Sequence, residues 1–165
     1  MPSKSKSKGN AFERFIADDL TQVFGYNFER VPNSGAFVGG KNASKYSSLS
    51  KSQQLIYEGD ILVPDELYHM KIECKSYKDF AFHQLFSENK LLDSWIEQAH
   101  SKEKHWFLIF KINRKGTFVL VDRSTYNYIE DHLTSPNYVK YKDYYIMSYD
   151  EFFVDTRHAL ISLTM

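Results

Sequence analysis

The sequence has little of what would assign it at sight. It holds one cysteine, Cys74, in 165 residues, which excludes a disulfide scaffold or a cysteine-built zinc module and gives no reason for an oxidising compartment. No apolar run approaches the ~20 residues that cross a bilayer. The start, Met1-Pro-Ser-Lys-Ser-Lys-Ser-Lys8, has no apolar segment behind its basic residues, so no secretory leader is expected. Charge of one sign is also lacking. Lys and Arg number 21 and Asp and Glu number 21, for a formal net charge of zero. That balance argues against a protein that coats nucleic acid indiscriminately, though not against one basic face. There is no phosphate-cradling P-loop, no dinucleotide-type glycine motif and no Gly-x-Ser-x-Gly elbow. His83, His100 and His105 have no metal-type spacing. The expectation is a soluble intracellular, cytoplasmic protein with no membrane association. At ~100–150 residues per domain its length allows one domain.

What is present has a clear order. Residues 1–8 read as a disordered basic arm, because Lys4, Lys6 and Lys8 alternate with serine and nothing apolar can pack. Such an arm is a solubilising tail or a phosphate-seeking one. Residues 9–165 then read as a single domain. Phe12, Phe15, Ile16, Leu20, Val23 and Phe24 recur at helical spacing over residues 10–24, with Asn10 as N-cap and Gly25 as the stop. A short strand is expected at residues 27–31. Residues 33–56 are rich in glycine and serine and carry Lys41, Lys45 and Lys51. A loop that long inside a small domain is functional or disordered, and it reads here as a mobile, basic substrate loop.

Ile61 to Val63 is a strand, Pro64-Asp65-Glu66 a turn, and residues 68–75 a second strand of the same hairpin. Alternation puts Tyr68, Met70, Ile72 and Cys74 on one face of that strand. His69, Lys71, Glu73 and Lys75 fall on the other, His69 as a surface histidine. Residues 82–101 read as one helix with Leu85, Phe86, Leu92, Trp95, Ile96 and Ala99 on its buried side. Residues 105–112 and 117–122 are strands, the first nearly continuous in apolar residues, as in a central strand covered on both faces. A short helix over 124–132, a strand over 143–148 and a last helical turn, capped by Asp150, through Phe153 complete the chain. The fold class expected is α/β: one mixed sheet flanked by helices, with a small C-terminal extension.

One chemical idea joins these pieces. Glu73 and Lys75 sit two apart on one strand face, and the hairpin brings Asp60 beside them. Two hard carboxylates suit a Mg²⁺ ion that keeps several waters and takes phosphate oxygens. A neighbouring lysine holds a water and offsets charge developing on a phosphate, the equipment of metal-assisted phosphodiester hydrolysis. Pro64-Asp65 is the weaker choice of aspartate, because a carboxylate in the turn points to solvent away from Glu73.

Asp60 followed by Glu73-Cys74-Lys75 resembles the PD-(D/E)xK nuclease superfamily. The resemblance implies a restriction-endonuclease-like αβββαβ core. It implies a catalytic glutamate on the first helix, met by Glu13, and a glutamine on the helix after the second strand, met by Gln98. The stretch Arg30-Val31-Pro32-Asn33-Ser34-Gly35 is similar to the turn of archaeal-type Holliday-junction resolvases, whose serine lies near the scissile phosphate; here that serine is Ser34 and the DNA-contacting arginine is Arg30. The resemblance covers most of the chain, about residues 9–121. What it implies is a Mg²⁺-dependent endonuclease on four-way junctions, with Mn²⁺ able to substitute. Glu13, Ser34, Asp60, Glu73, Lys75 and Gln98 would be catalytic. Asp60, Glu73, Glu13 and the Cys74 backbone carbonyl would be metal ligands, and Lys41, Lys45 and Lys51 would contact DNA. Paired nicks require two sites, hence a C2 homodimer. The composition, rich in Lys, Asn and Tyr, fits a phage-encoded protein, which would act in the host cytoplasm. Two other readings stay open: a restriction- or repair-type endonuclease of the same core, and a DNA-binding module that has lost cleavage.

Overall fold

A computed structural model describes residues 3–32, 58–135 and 137–163. The first apolar stripe builds α1, Lys4–Phe24, which buries Phe12, Ile16, Ala17, Leu20 and Phe24. This helix starts well upstream of the expected position. Ser3 and not Asn10 caps it, accepting from the Lys6 N–H, so Lys4, Lys6 and Lys8 lie in exposed helical turns and not in a disordered arm. Nothing between Ser3 and Asn10 breaks a helix except Gly9, lysine tolerates helix well, and once the packed part has formed each added residue costs little. Gly25, at φ 76°, ends the helix in the left-handed region with its N–H on the Thr21 carbonyl.

The next two strands are short. β1, Glu29–Arg30, pairs antiparallel with β2, Ile61–Leu62. The expected ladder between β2 and the following strand does not form. A 3₁₀ turn, Asp65–Leu67, buries Leu67 in the core and leads the chain away from β2 before β3, Met70–Tyr77, begins. β3 instead runs parallel to β4, His105–Ile112, in register from Met70 opposite His105 to Tyr77 opposite Ile112. Their crossover is not the single helix expected over 82–101. It is a 3₁₀ turn, Phe82–Phe86, followed by α2, Lys90–Ala99. The break falls at Asn89, whose side chain caps α2 by accepting from the Leu92 N–H while its own N–H donates to the Tyr141 hydroxyl. That partner is remote in sequence, so no local pattern announces it. Phe86, expected on the buried side, is 96% exposed.

β5, Gly116–Asp122, continues antiparallel to β4 and runs into α3, Arg123–Ile129. Then follow β6, Val139–Tyr141, β7, Tyr144–Ser148, and α4, Phe152–Ser162. The five-stranded mixed sheet has the order β3-β4-β5-β7-β6, flanked by helices: the α/β class expected from the pattern. One apolar cluster lies between the sheet and α1, α3 and α4, using Ile72, Cys74, Phe107 and Ile109 from the strands. The other lies beneath α2 and uses Trp106, Leu108 and Phe110. Adjacent β4 residues thus face opposite cores, which is why its sequence is nearly unbroken in apolar residues. Among the described residues no helix is long and apolar enough to cross a membrane.

Candidate active site

β3 is an edge strand of the five-stranded sheet, so alternate backbone groups along its outer side need partners from elsewhere. Asp60 supplies two of them. Its N–H donates to the Ile72 carbonyl at 2.8 Å, and its carboxylate Oδ2 accepts from the Cys74 N–H at 2.7 Å. Its own carbonyl accepts from the Val31 N–H at 2.9 Å, which ties the segment to β1. The hairpin ladder is absent, yet the juxtaposition it was expected to create is present. Gly59 makes the approach possible. It stands at φ +83°, and a Cβ there would lie 2.5 Å from the Ile72 carbonyl oxygen.

Strand alternation sets the rest. Met70, Ile72 and Cys74 enter the core under α1, while Lys71, Glu73 and Lys75 face α2. Lys71 Nζ donates to the carbonyls of Gln98 at 2.9 Å and His100 at 3.2 Å, holding the C-terminal end of α2 against the strand. Lys75 Nζ donates to Gln98 Oε1 and lies 3.5 Å from Glu73 Oε1. From α1, Glu13 Oε2 accepts from Arg30 Nε at 2.6 Å, and Arg30 Nη2 donates to Asn10 Oδ1 at 2.7 Å. Four of the residues singled out from sequence therefore stand around Asp60 in two linked pairs, Glu73 with Lys75 and Glu13 with Arg30, and Gln98 completes the first pair. Arg30 is engaged with Glu13, a contact that fixes the carboxylate.

Asp60 perturbs the two glutamates beside it. Burial and then the Asp60 charge raise the Glu73 pKa to about 8, against the lowering effect of Lys75 and Lys71. Glu13 is raised by burial and then by Asp60, against the lowering effect of Arg30 and Lys75. Burial pushes the Cys74 thiol well up, with Asp60, Glu13 and Glu73 acting in the same direction. Cys74 is thus an apolar core residue by its side chain. Its N–H faces Asp60 on the outer edge of β3, and in an extended strand its carbonyl shares that edge. Among the described residues, no group of three His, Cys, Asp or Glu side chains is gathered as a ready metal site.

Other expectations fall elsewhere. Asp65 is exposed on its 3₁₀ turn. His69 precedes β3, so the strand's alternation does not extend to it. Its ring lies 6.2 Å from that of His105, with both nitrogens buried and facing the Leu160 backbone. It is half-buried, against the rings of Tyr68 and His105. Ser34, Lys41, Lys45 and Lys51 lie outside the described residues.

A family model described as "phage putative PDDEXK endonuclease" matches residues 4–161. The chain belongs to that family. No curated protein and no solved structure matches it. For an endonuclease of this family the cluster is apt chemistry: largely buried carboxylates as hard oxygen donors, with a lysine held beside them by a glutamine. Sequence reasoning missed three supports of the cluster. Asn10 was expected as a helix cap and instead receives Arg30. Lys71 was placed on the right face but given no task. Gly59 was visible as turn chemistry, but its contact with Ile72 has no local signal.

Proposed function

We propose that this endonuclease is Mg²⁺-dependent and structure-selective, hydrolysing phosphodiester bonds at four-way DNA junctions as a C2 homodimer. The observation that carries the reading is the seat of Asp60 on the free edge of β3, between Glu73-Cys74-Lys75 and the Glu13–Arg30 pair. Asp60 and Glu73 would hold Mg²⁺, or Mn²⁺ in its place, with Glu13 and the Cys74 backbone carbonyl as further oxygen donors. The residues fit such an ion. Glu13 and Glu73 both feel the negative charge of Asp60, a crowding that a cation relieves. Mg²⁺ commonly takes only one or two carboxylates and completes its shell with water and substrate phosphate, so it needs no ready group of three side chains. When bound, the ion supplies an acidified water and Lewis-acid stabilisation of phosphate oxygens.

The chain's own residues do the remainder. Lys75, fixed by Gln98 and Glu73, presents its ammonium to the attacking water and to charge developing on the phosphate. Arg30 and Asn10 hold Glu13 in one orientation. Junction selectivity is supported by the likeness of Arg30-Val31-Pro32-Asn33-Ser34-Gly35 to the resolvase turn, and symmetric nicking requires two such sites. A restriction- or repair-type endonuclease is the second reading. It is favoured by the length of chain between Gly35 and Asp60 and by β6, β7 and α4, which exceed a minimal resolvase core.

A Mg²⁺ nicking assay on junction, flap, linear duplex and single-stranded DNA separates these readings. Paired nicks in junctions above all other substrates are expected. Equal cutting of linear duplex would establish the second reading, and binding with no cleavage of any substrate would leave a DNA-binding module.

A further inference from the structure

A groove of about 720 Å³ lies between the first half of α1 and the ends of β3 and β4 furthest along the chain. Twelve residues line it, four of them Lys4, Lys8, Lys78 and Lys111, and none is Asp or Glu. In a chain whose charges balance at 21 to 21, that is a local concentration of one sign. Lys4, Lys8 and Phe15 occupy one stripe of the helix, since spacings of four and seven return to the same face. The Phe15 ring stands 57% exposed beside an apolar floor made by Phe12. The first turn of α1 carries no acidic residue, so lysines crowd the positive end of the helix dipole, an arrangement that costs stability unless an anion approaches. In the chain, Phe12 of the groove adjoins Glu13 and Ser76 adjoins Lys75, with Ser76 on the α1 face of β3 and Lys75 on the α2 face.

We propose that this groove holds a single strand of DNA, its phosphates neutralised by Lys4, Lys8, Lys78 and Lys111 and one unpaired base stacked on Phe15. Charge identifies a polyanion, and the exposed ring narrows the class. Stacking on an aromatic side chain needs the open face of an unpaired base, the pairing of cations and rings that single-strand binders use. The volume agrees, being that of a small-ligand site with room for a nucleotide or two and none for a duplex. The assignment deepens the nuclease reading by giving a path to one unpaired strand next to the catalytic cluster. It rests on that reading only for the claim that the occupant is DNA on its way to or from cleavage.

The test measures binding without cleavage. The protein, its Lys4→Ala/Lys8→Ala/Lys111→Ala variant and its Phe15→Ala variant are titrated in EDTA against labelled oligo(dT) and against a linear duplex, over a range of salt. The triple variant should flatten the plot of log K against log salt on oligo(dT) by up to ~2.1, at about 0.7 per phosphate contact on single strands. Phe15→Ala should weaken oligo(dT) roughly 5- to 150-fold and leave duplex affinity unchanged. All four residues are exposed and alanine favours helix, so unchanged thermal melting is expected. An unaltered salt slope, an unaltered oligo(dT) affinity in Phe15→Ala, or no oligo(dT) binding by the parent protein would each overturn the proposal. These outcomes are separate from catalysis: a protein that cuts nothing but loses oligo(dT) through these variants would sink the nuclease reading and keep the groove.

Discussion

Asp60 carries two tasks on one side chain, a structural hydrogen bond to the Cys74 N–H and the negative charge beside Glu73, and substitutions separate them. Asp60→Asn keeps an oxygen acceptor for the N–H, so folding and DNA binding should survive while cleavage falls by orders of magnitude for want of the charge. Asp60→Ala removes the acceptor as well and should destabilise the fold by a further ~1–3 kcal/mol, the cost of stranding a buried donor. Glu73→Ala should likewise end cleavage, whereas Asp65→Asn should cut normally. Near-normal cutting by Asp60→Asn or Glu73→Ala in Mg²⁺ would show that the site is misassigned. Gly59→Ala probes the same seat from the backbone. At φ +83°, with only 2.5 Å between an alanine Cβ and the Ile72 oxygen, alanine must push the segment off β3. Its cost should exceed ~1 kcal/mol, and cleavage should suffer more than chemical-denaturation stability. Equal cleavage by the two proteins would mean that the seat of Asp60 is not needed for cutting.

Among the elements, the join of β3 to its flanking helices holds a pH response. Burial, helped by neighbouring His105 and Lys104 and opposed by a contact to the Leu160 backbone, lowers the His69 pKa to about 4 from an ordinary 6.5; Glu58 faces Lys104 from across this region. A histidine kept neutral in the fold binds its proton more readily when unfolded. Its contribution is therefore intact above pH 6.5 and is lost as pH falls from 6.5 through about 4. His69→Phe, an apolar ring of similar size, should lose less stability across that window, read as urea midpoints at pH 7 and pH 4.5. Parallel midpoints for both proteins would refute the assignment. His69 also shows where sequence patterns stop. Alternation is a property of a formed strand, and it predicts the faces of Lys71, Glu73 and Lys75 because they lie within Met70–Tyr77; His69 lies one residue outside. The long stripe of α1 and the apolar run of β4 were legible for the same reason, being periodic over many residues. β6 was not, since Val139-Lys140-Tyr141 has no period to read and is fixed by pairing with β7. α4 was read as a single turn because its start, Glu151, adopts φ 62° with no side-chain cap, and the burial of Ala159 and Leu160 depends on partners distant in sequence. In the site, residue types and spacing pointed to Asp60, Glu73 and Lys75, and the family resemblance added Glu13 and Gln98. The contacts that hold them, through Gly59, Lys71 and Asn10, are tertiary and left no mark on the pattern.

At the scale of the whole molecule, balanced charge makes a definite statement about DNA. With 21 cations against 21 anions there is no net field to draw a duplex in, so affinity must come from local groups of lysines that neutralise phosphates one by one. Lys41, Lys45 and Lys51 form such a group in sequence, on the segment joining the Arg30 strand to Asp60, although they lie outside the described residues. Both flanks of that segment are anchored at the carboxylate cluster, by Arg30 on Glu13 and by Asp60 on β3. In the proposed function these lysines contact the DNA. Replacing all three with alanine should flatten log K against log salt on duplex DNA by up to ~2.7, at about 0.9 per phosphate contact. Affinity should fall for every substrate that contains duplex, and most for a four-way junction if the segment enters the crossover. Single-turnover cleavage at saturating protein should change far less, because Asp60, Glu73 and Lys75 are untouched. The groove lysines should show the opposite preference, with their effect greatest on single strands, so the two triple variants form a matched pair. An unchanged duplex slope in the Lys41, Lys45 and Lys51 variant would make that segment a solvated insertion and leave duplex affinity to other basic residues of the chain.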